Sequence, residues 1–256
     1  MMRFASLGSG SEGNALLVQV GKTVLMVDCG FGLEDTQARL GRLGVECEAI
    51  TAILVTHEHD DHIGGVARFA RKFNLPVWLT RGTLKAAGSR FADVPSVRVF
   101  DCHCRVEIGD IDIEPYTVPH DAREPAQFVF SNGALRLGLL TDAGTLTAHI
   151  ERVLDRVDAL VLECNHDLDM LWSGPYPRSL KERIAGKFGH LDNASAAALL
   201  GAIDASRLQH VVAAHISQQN NTPELACAAL TNALRCGPEW IGVATQRDGF
   251  GWRSLC

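Results

Sequence analysis

The chain has 256 residues, of which 46% are hydrophobic and 21% are charged, as in an ordinary folded protein. A net charge of −6 and a pI near 5.9 exclude a global positive field that would draw the whole chain to nucleic acid or an anionic membrane. No apolar run approaches the ~20 residues that span a bilayer, and residues 1–14 lack a signal-peptide pattern. We therefore expect a cytoplasmic protein with reduced cysteines and no membrane partner.

Short β-like runs open the chain. Three of them, separated by Gly-Ser and Gly-Lys turns, predict an antiparallel meander over 3–7, 14–20 and 23–28. The GSGSEG segment (8–13) lies between two strands, which favours a hairpin turn over the strand-to-helix elbow of a serine hydrolase. The next predicted elements are a helix at 33–44, a strand at 52–57, a helix at 61–73, a strand at 76–80 and a β-rich stretch at 97–140.

The second half of the chain has a similar plan. Its predicted elements are a helix near 146–156, a strand at 159–164, helices across 178–186 and 192–203, a strand at 210–216, a helix at 223–235, and short strands near 240–245 and 250–254. The few helices of either half could not cover its strands alone. The predicted fold class is therefore α/β, with two sheets face to face and helices outside, an αββα sandwich. No linker or low-complexity tract interrupts the sequence, which favours one domain over residues 1–256.

Titratable residues are concentrated in LVTHEHDDHIGG (54–65), directly after an apolar run. His57 and His59 are two residues apart on a chain leaving a strand, so their rings can point the same way. Asp61 and His62 follow at the start of the next helix. Neutral imidazoles and carboxylates are ligands that Zn²⁺, Mn²⁺ and Fe²⁺ accept. The alternative is a solvated polar loop, which seldom lies directly between a core strand and a packed helix.

Three further titratable residues each end an apolar run. They are His120 after EPYTVP, Asp142 after LRLGLLT, and His215 after HVVAA. A lone buried histidine at the end of a strand is more often a satisfied core residue than a ligand. Three such positions after a His-x-His-x-Asp-His motif make a metal site the better interpretation.

This ordered set resembles the ligand set of the metallo-β-lactamase superfamily, over nearly the whole chain. The resemblance implies a four-layer αββα sandwich and two divalent metal ions, Zn, Mn or Fe. It implies that one ion takes His57, His59 and His120, that the other takes Asp61, His62 and His215, and that Asp142 bridges them. Asp28, in MVDCG, matches an aspartate that supports the site from behind the ligands.

Within the superfamily, several branches fit poorly. A histidine at 59 differs from the glutamate usual in flavodiiron oxidoreductases, the C-terminal helical domain of glyoxalase II is missing, and no β-CASP insertion is present. The matching segments resemble the YycJ/WalJ-type group, which is related to the tRNA-processing RNase Z enzymes and linked to exonuclease activity on DNA. They are SLGSGSEGN (6–14), HDAREP (120–125), ECNHDLDML (163–171), YPRSLKERIAGKFGHLDN (176–193) and HISQQNN (215–221). No segment matches the RNase Z arm that docks tRNA, so we do not expect a tRNA substrate.

The resemblance implies hydrolysis of a phosphodiester by a metal-activated hydroxide, with nucleic acid as the partner. Asp61 would orient the hydroxide, and His190 would donate a proton to the leaving oxygen. Candidate substrate contacts are His166, Ser217, Asn220 and Asn221. Six cations could form a basic patch or only solvated helix faces: Arg68, Arg71, Lys72, Arg178, Lys181 and Arg183.

Two other classes of function compete with the nuclease. A small-molecule hydrolase acting on a lactone, thioester or cyclic phosphodiester would use the same metals but an apolar pocket. A metal-stabilised binding module would require lost ligands, and none is lost. The eight cysteines contain no CxxC pair, and the Cys102-x-Cys104 spacing favours a structural or incidental role.

Overall fold

The strands and helices are defined by a computed structural model that describes residues 1–256. The strands are β1 (Met2–Gly8), β2 (Ala15–Val20), β3 (Thr23–Val27), β4 (Ala52–Leu54), β5 (Pro76–Thr80), β6 (Ser96–Phe100), β7 (Val106–Ile108), β8 (Ile111–Thr117), β9 (Ala126–Ser131), β10 (Arg136–Leu140), β11 (Ala159–Glu163), β12 (His210–Ala214), β13 (Ile241–Val243) and β14 (Phe250–Leu255). The meander predicted at the start of the chain is confirmed, because β1, β2 and β3 pair antiparallel in that order.

Nine α-helices accompany the strands. They are α1 (Leu33–Arg42), α2 (Asp60–Ile63), α3 (Val66–Phe73), α4 (Arg81–Ala87), α5 (Ala148–Leu154), α6 (Leu168–Ser173), α7 (Arg178–Ile184), α8 (Asn193–Ala202) and α9 (Pro223–Leu234). Short 3-10 helices cover Cys47–Ala49, Gly88–Phe91, Ala205–Arg207 and Pro238–Trp240. None of the helices combines the length and apolarity needed to cross a bilayer.

The strands form two seven-stranded sheets with similar plans. The first has the order β14-β1-β2-β3-β4-β5-β6, and the second has the order β13-β12-β11-β10-β9-β8-β7. In the first sheet β3, β4, β5 and β6 are parallel, and in the second β10, β11, β12 and β13 are parallel. The carboxyl ends of parallel neighbours meet at one edge of a sheet, so residues that follow these strands are brought together.

Three apolar clusters define the layers. The largest joins residues of both sheets, such as Phe4 and Val18 from the first and Phe128 and Phe130 from the second. Another buries the outer face of the first sheet under α1 and α3, and the third buries the outer face of the second sheet under α5, α8 and α9. Both faces of the central strands are therefore covered, which explains their nearly continuous apolar sequences. The predicted αββα sandwich is confirmed, while one domain over 1–256 stays a prediction.

The helix predicted over 61–73 is interrupted, which corrects the sequence interpretation. It divides into α2 and α3 at Gly64 and Gly65 because the backbone groups there have partners outside the helix. The N–H of Gly65 donates to the carbonyl of Cys29 at 2.7 Å, and the carbonyl of Asp61 accepts from the N–H of Asn14 at 2.8 Å. Helices α4 and α6 were not predicted, since seven and six residues are too short for a clear helical period.

The Cys-x-Cys pair lies in the turn between β6 and β7. Cys102 packs against the core between the sheets, and its burial raises the pKa of the thiol to about 12. Cys104 is exposed. A thiol with so high a pKa is a poor nucleophile and metal ligand near neutral pH, in keeping with the structural role expected for Cys102.

The close approach at Gly65 gives a test of the fold. We expect Gly65→Ala to destabilise the protein by ~1–3 kcal/mol, because the new Cβ would lie 1.9 Å from the carbonyl oxygen of Phe31 and the backbone would have to move. Gly201→Ala is the matched control: a Cβ there meets nothing within 4 Å, and alanine in α8 should add ~0.5–1 kcal/mol of stability. Urea denaturation measures both. Equal stability of the two variants would contradict the steric account.

Candidate metal centre

The site lies where the carboxyl edges of the two sheets meet. Asp28 follows β3, His57 lies three residues after β4, His120 follows β8, Asp142 follows β10 and His215 follows β12. Asp28, Asp142 and His215 have left-handed backbones, with φ of 61°, 56° and 51°. This conformation is uncommon for residues with a side chain and costs on the order of 1–3 kcal/mol each. Two of these turns bring their side chains together, with Asp142 Oδ1 3.4 Å from His215 Nε2.

Asp28 holds two histidines of the motif from behind. Its carboxylate accepts hydrogen bonds from the N–H of Thr56, from Thr56 Oγ1 and from His62 Nδ1, each at 2.8 Å. Because the Thr56 hydroxyl donates to Asp28, it accepts from His57 Nδ1 at 2.9 Å. Both imidazoles therefore hold an Nδ1 proton in these hydrogen bonds and direct Nε2 into the site, where it is the nitrogen available to a cation. This position of Asp28 is the one expected from the sequence.

His57, His59 and His120 form a group of three converging nitrogens. His57 Nε2 lies 3.0 Å from His59 Nδ1, which lies 3.3 Å from His120 Nε2. His120 Nδ1 donates to the carbonyl of Gly189 at 3.0 Å, and a carbonyl only accepts, so His120 Nε2 carries a lone pair. One proton on His59 cannot satisfy both neighbours. Burial, followed by the charge of His62, lowers the pKa of His57 well below its ordinary value, which keeps this imidazole neutral.

A second group contains Asp61, His62 and His215. Asp61 Oδ2 lies 3.4 Å from His62 Nε2 and 3.5 Å from His215 Nε2. Asp142 lies between the two groups: its oxygens are 3.4 Å from His62 Nε2 and His215 Nε2 and 3.9 Å from His120 Nε2. Burial acts to raise the pKa of Asp142, but the charges of His215 and His62 hold it well below its ordinary value.

These donors fit divalent cations. Ligands bound at ~2.0–2.1 Å around a tetrahedral metal lie about 3.3 Å from one another, which is close to the spacings in both groups. Asp142 Oδ2 and His215 Nε2 are buried and have no hydrogen-bond partner. A buried polar atom without a partner is costly, and a cation within reach of both would remove that cost. The cluster is thus built for divalent metal binding.

Glu163 is a site residue that the sequence interpretation missed. It is fully buried at the end of β11, and its Oε1 lies 2.7 Å from His190 Nδ1. Its Oε2 accepts from the N–H groups of Ala143 and Leu191 at 3.0 and 3.1 Å, so the carboxylate is held firmly. The signal was present, since an acid closes the apolar strand ALVLE as Asp142 follows LRLGLLT. His190 is therefore oriented by Glu163 and lies 3.6 Å from Asp142.

The four predicted substrate contacts are buried at the edge of the site. Ser217 Oγ accepts from the N–H of Asn220, and Asn220 and His166 each keep one buried polar atom without a partner. Asn221 donates to the carbonyl of Cys164 and to Asn193 Oδ1, both at 2.8 Å, so its amide has no donor left for a phosphate. A substrate role for His166, Ser217 and Asn220 stays a prediction, whereas Asn221 holds the loop in place.

The sequence left open whether six cations form a basic patch or only solvated helix faces. Most lie on the outward sides of α3 and α7, where Arg71, for example, pairs with Asp93 at 3.6 Å. Arg183 approaches the centre through Asp121. Its Nε lies 2.5 Å from Asp121 Oδ2, and Asp121 Oδ1 lies 3.6 Å from His120 Nε2.

Comparison with known proteins agrees with this geometry. The family model described as the metallo-beta-lactamase superfamily matches residues 8–177. The chain belongs to the metallo-beta-lactamase superfamily. It is 36% identical over 247 residues to the exodeoxyribonuclease YycJ of Bacillus anthracis, which covers 96% of this chain and 94% of that protein. It is 33% identical to the exodeoxyribonuclease WalJ of Streptococcus pneumoniae, over 94% and 91% of the two chains.

The fold is shared with solved structures of the superfamily. The metallo-beta-lactamase fold protein YhfI from Bacillus subtilis superposes with a TM-score of 0.75 and 16% identity, covering 97% of this chain and 98% of that one. The resemblance to the YycJ/WalJ group drawn from the sequence is confirmed. His190 and His215 lie beyond the segment matched by the family model, within the part of the chain that the two exodeoxyribonucleases also cover.

Metal removal tests the fit of the cluster. We expect excess Mn²⁺ or Zn²⁺ to raise the thermal midpoint of chelator-stripped protein. At a metal concentration of one hundred times Kd, binding should add ~2.7 kcal/mol to the free energy of unfolding. The reason is that the cation gives Asp142 and His215 the partner that they lack in the chain. The control is Asp142→Asn, which should gain much less. Identical midpoints of the wild type with metal and with chelator would show that the cluster is not a metal site.

Proposed function

We propose that the protein is a metal-dependent phosphodiesterase that degrades DNA as an exonuclease. The observation that carries this proposal is the convergence of seven metal-ligand side chains at the junction of the two sheets, with His190 beside them. The two exodeoxyribonucleases that resemble the chain over nearly its full length support DNA as the substrate.

The proposed centre holds two cations, of Zn, Mn or Fe. His57, His59 and His120 would bind one, Asp61, His62 and His215 would bind the other, and Asp142 would bridge them. Its two oxygens lie within 3.4–3.9 Å of nitrogens from both groups, which supports a bridging role. Bound divalent cations would make hydroxide available from water near neutral pH and neutralise the developing charge of a phosphodiester.

His190 would hold the proton for the leaving oxygen. Its Nδ1 faces Glu163 at 2.7 Å, so the hydrogen bond between them fixes the ring and directs Nε2 away from Glu163. A general acid placed in this way contributes ~10²–10⁴-fold to the rate.

Asp61 would orient the attacking water. Burial acts to raise the pKa of Asp61, but the charge of His62 and the nearby His215, whose Nε2 lies 3.5 Å from Asp61 Oδ2, hold it far below its ordinary value. The carboxylate is therefore ionised at neutral pH and can only accept hydrogen bonds. Its side chain is 22% exposed, more than those of Asp142 and His215, so it faces the open side of the centre.

Metal stoichiometry tests the division of the ligands. We expect about two metal ions per wild-type chain and about one in His59→Ala, because only the three-histidine group loses a nitrogen. His210→Ala is the matched control, since His210 lies at the start of β12, at the opposite end of that strand from His215. Elemental analysis after dialysis measures the ratio. Two ions retained by His59→Ala would contradict the assignment.

The leaving group tests the role of His190. We expect His190→Ala to slow DNA cleavage by ~10²–10⁴-fold while metal content stays unchanged. Turnover of bis-p-nitrophenyl phosphate should fall much less, because p-nitrophenolate leaves without protonation. Glu163→Gln should reproduce the pattern in weaker form. An equal loss on both substrates would exclude proton donation as the function of His190.

The proposed activity itself is tested with end-labelled DNA. Wild-type protein supplied with Mn²⁺ or Zn²⁺ should release nucleotides progressively from one end, and His59→Ala should not. A thioester and a lactone are assayed in parallel, as substrates of the rival small-molecule hydrolase. If the wild type hydrolyses the thioester or the lactone but leaves DNA intact with every metal, the nuclease assignment is wrong.

A further inference from the structure

Three cationic side chains line an open cavity beside the metal centre. Arg81, Lys85 and Arg123 border it, together with two acids, Asp101 and Glu124, and its volume is about 550 Å³. We call these three cations and the cavity between them the cationic cleft. None of the three belongs to the basic patch considered from the sequence.

The topology places this cleft next to the three-histidine group. His57 follows β4, Arg81 follows the neighbouring parallel strand β5, and Asp101 follows β6. Neighbouring strands lie ~4.8 Å apart, so the strand that leads to Arg81 lies one strand spacing from the strand that leads to His57. A hydrogen bond fixes the distance further: the backbone N–H of Arg123 donates to Glu58 Oε1 at 2.7 Å, within the His57–His62 motif.

The cations of the cleft are free to bind a ligand, whereas its acids are engaged. The side chains of Arg81, Lys85 and Arg123 are exposed and form no hydrogen bond or ion pair within the chain. The carboxylate of Glu124 accepts from the N–H of Gly82, and Asp101 Oδ1 accepts from the N–H of His103 at 2.8 Å. The cleft thus holds three cations against two carboxylates, on a protein whose net charge is −6.

We propose that the cationic cleft binds the phosphodiester backbone of the DNA strand beside the scissile phosphate, on the three-histidine side of the centre. This assignment rests on the proposed function. Arginine and lysine side chains bind phosphate oxygens without reading sequence, and they hold the strand in register. The net charge of the protein opposes the approach of DNA, and unpartnered cations beside the centre would offset that repulsion locally.

The test compares two double variants that each lose one arginine and one lysine. Arg81→Ala/Lys85→Ala removes two cations of the cleft. Lys22→Ala/Arg152→Ala is the control. Lys22 directly precedes β3, at the end of that strand away from the metal centre, and Arg152 is exposed on α5. We measure kcat/KM on single-stranded, end-labelled DNA over a range of salt concentrations, and on bis-p-nitrophenyl phosphate with the same metal.

The cleft variant should lose on the order of 10-fold or more in kcat/KM for DNA at low salt, relative to bis-p-nitrophenyl phosphate, mainly through a higher KM. The slope of its log(kcat/KM) against log salt should become shallower by ~1.4, since each phosphate contact on a single strand contributes ~0.7. Lys85→Ala alone removes an exposed helical side chain, with no risk to the fold, and should change the slope by about half as much.

Three results would overturn the proposal, and they are distinguishable. If the wild type cleaves DNA and its KM and salt slope match those of the cleft variant, the DNA strand does not bind in the cleft. The nuclease assignment then stands. A wild type that hydrolyses bis-p-nitrophenyl phosphate but no DNA removes the nuclease assignment and the cleft assignment together. An altered slope in the control variant, equal to that of the cleft variant, also excludes a specific role for the cleft.

Discussion

The convergence of imidazole nitrogens and carboxylate oxygens between the two sheets is the constraint on which the rest of this structure depends. Neutral nitrogens 3.0–3.3 Å apart and a carboxylate oxygen without a partner would destabilise an ordinary protein interior. They are tolerated because a cation can satisfy them all. Asp28 prepares for that cation by fixing, directly or through Thr56, which nitrogen of His57 and His62 is turned toward the site.

Close backbone approaches and left-handed turns position the residues of this cluster. Gly65 allows the motif to lie against the segment that follows β3, and Asp28, Asp142 and His215 take positive φ in the turns that follow β3, β10 and β12. The sheets are rigid because both faces of their central strands are buried. Rigid strands hold the ligands at spacings close to those a metal needs, as an efficient catalytic centre requires.

The residues of this cluster could be named from the sequence, because they lie in short recognisable segments. His57 to His62 are contiguous, and His120, Asp142 and His215 each follow an apolar run. Because strand ends can meet at one edge of a sheet, these residues were expected to converge. Glu163 closes a strand in the same way, but its role follows from a contact with His190 that the sequence does not show. The cationic cleft could not be predicted, because Arg81 and Arg123 meet only through the pairing of distant segments. The break between α2 and α3 likewise depends on tertiary hydrogen bonds to Cys29 and Asn14.

Anomalous X-ray diffraction from crystals of unchelated protein, grown with Zn²⁺ or Mn²⁺, tests the central claim most directly. The account predicts two anomalous peaks ~3.5–4 Å apart, one in contact with the imidazoles of His57, His59 and His120 and the other with those of His62 and His215. Crystals that show no anomalous peak, and in which the imidazoles of the three-histidine group face away from one another, would contradict it.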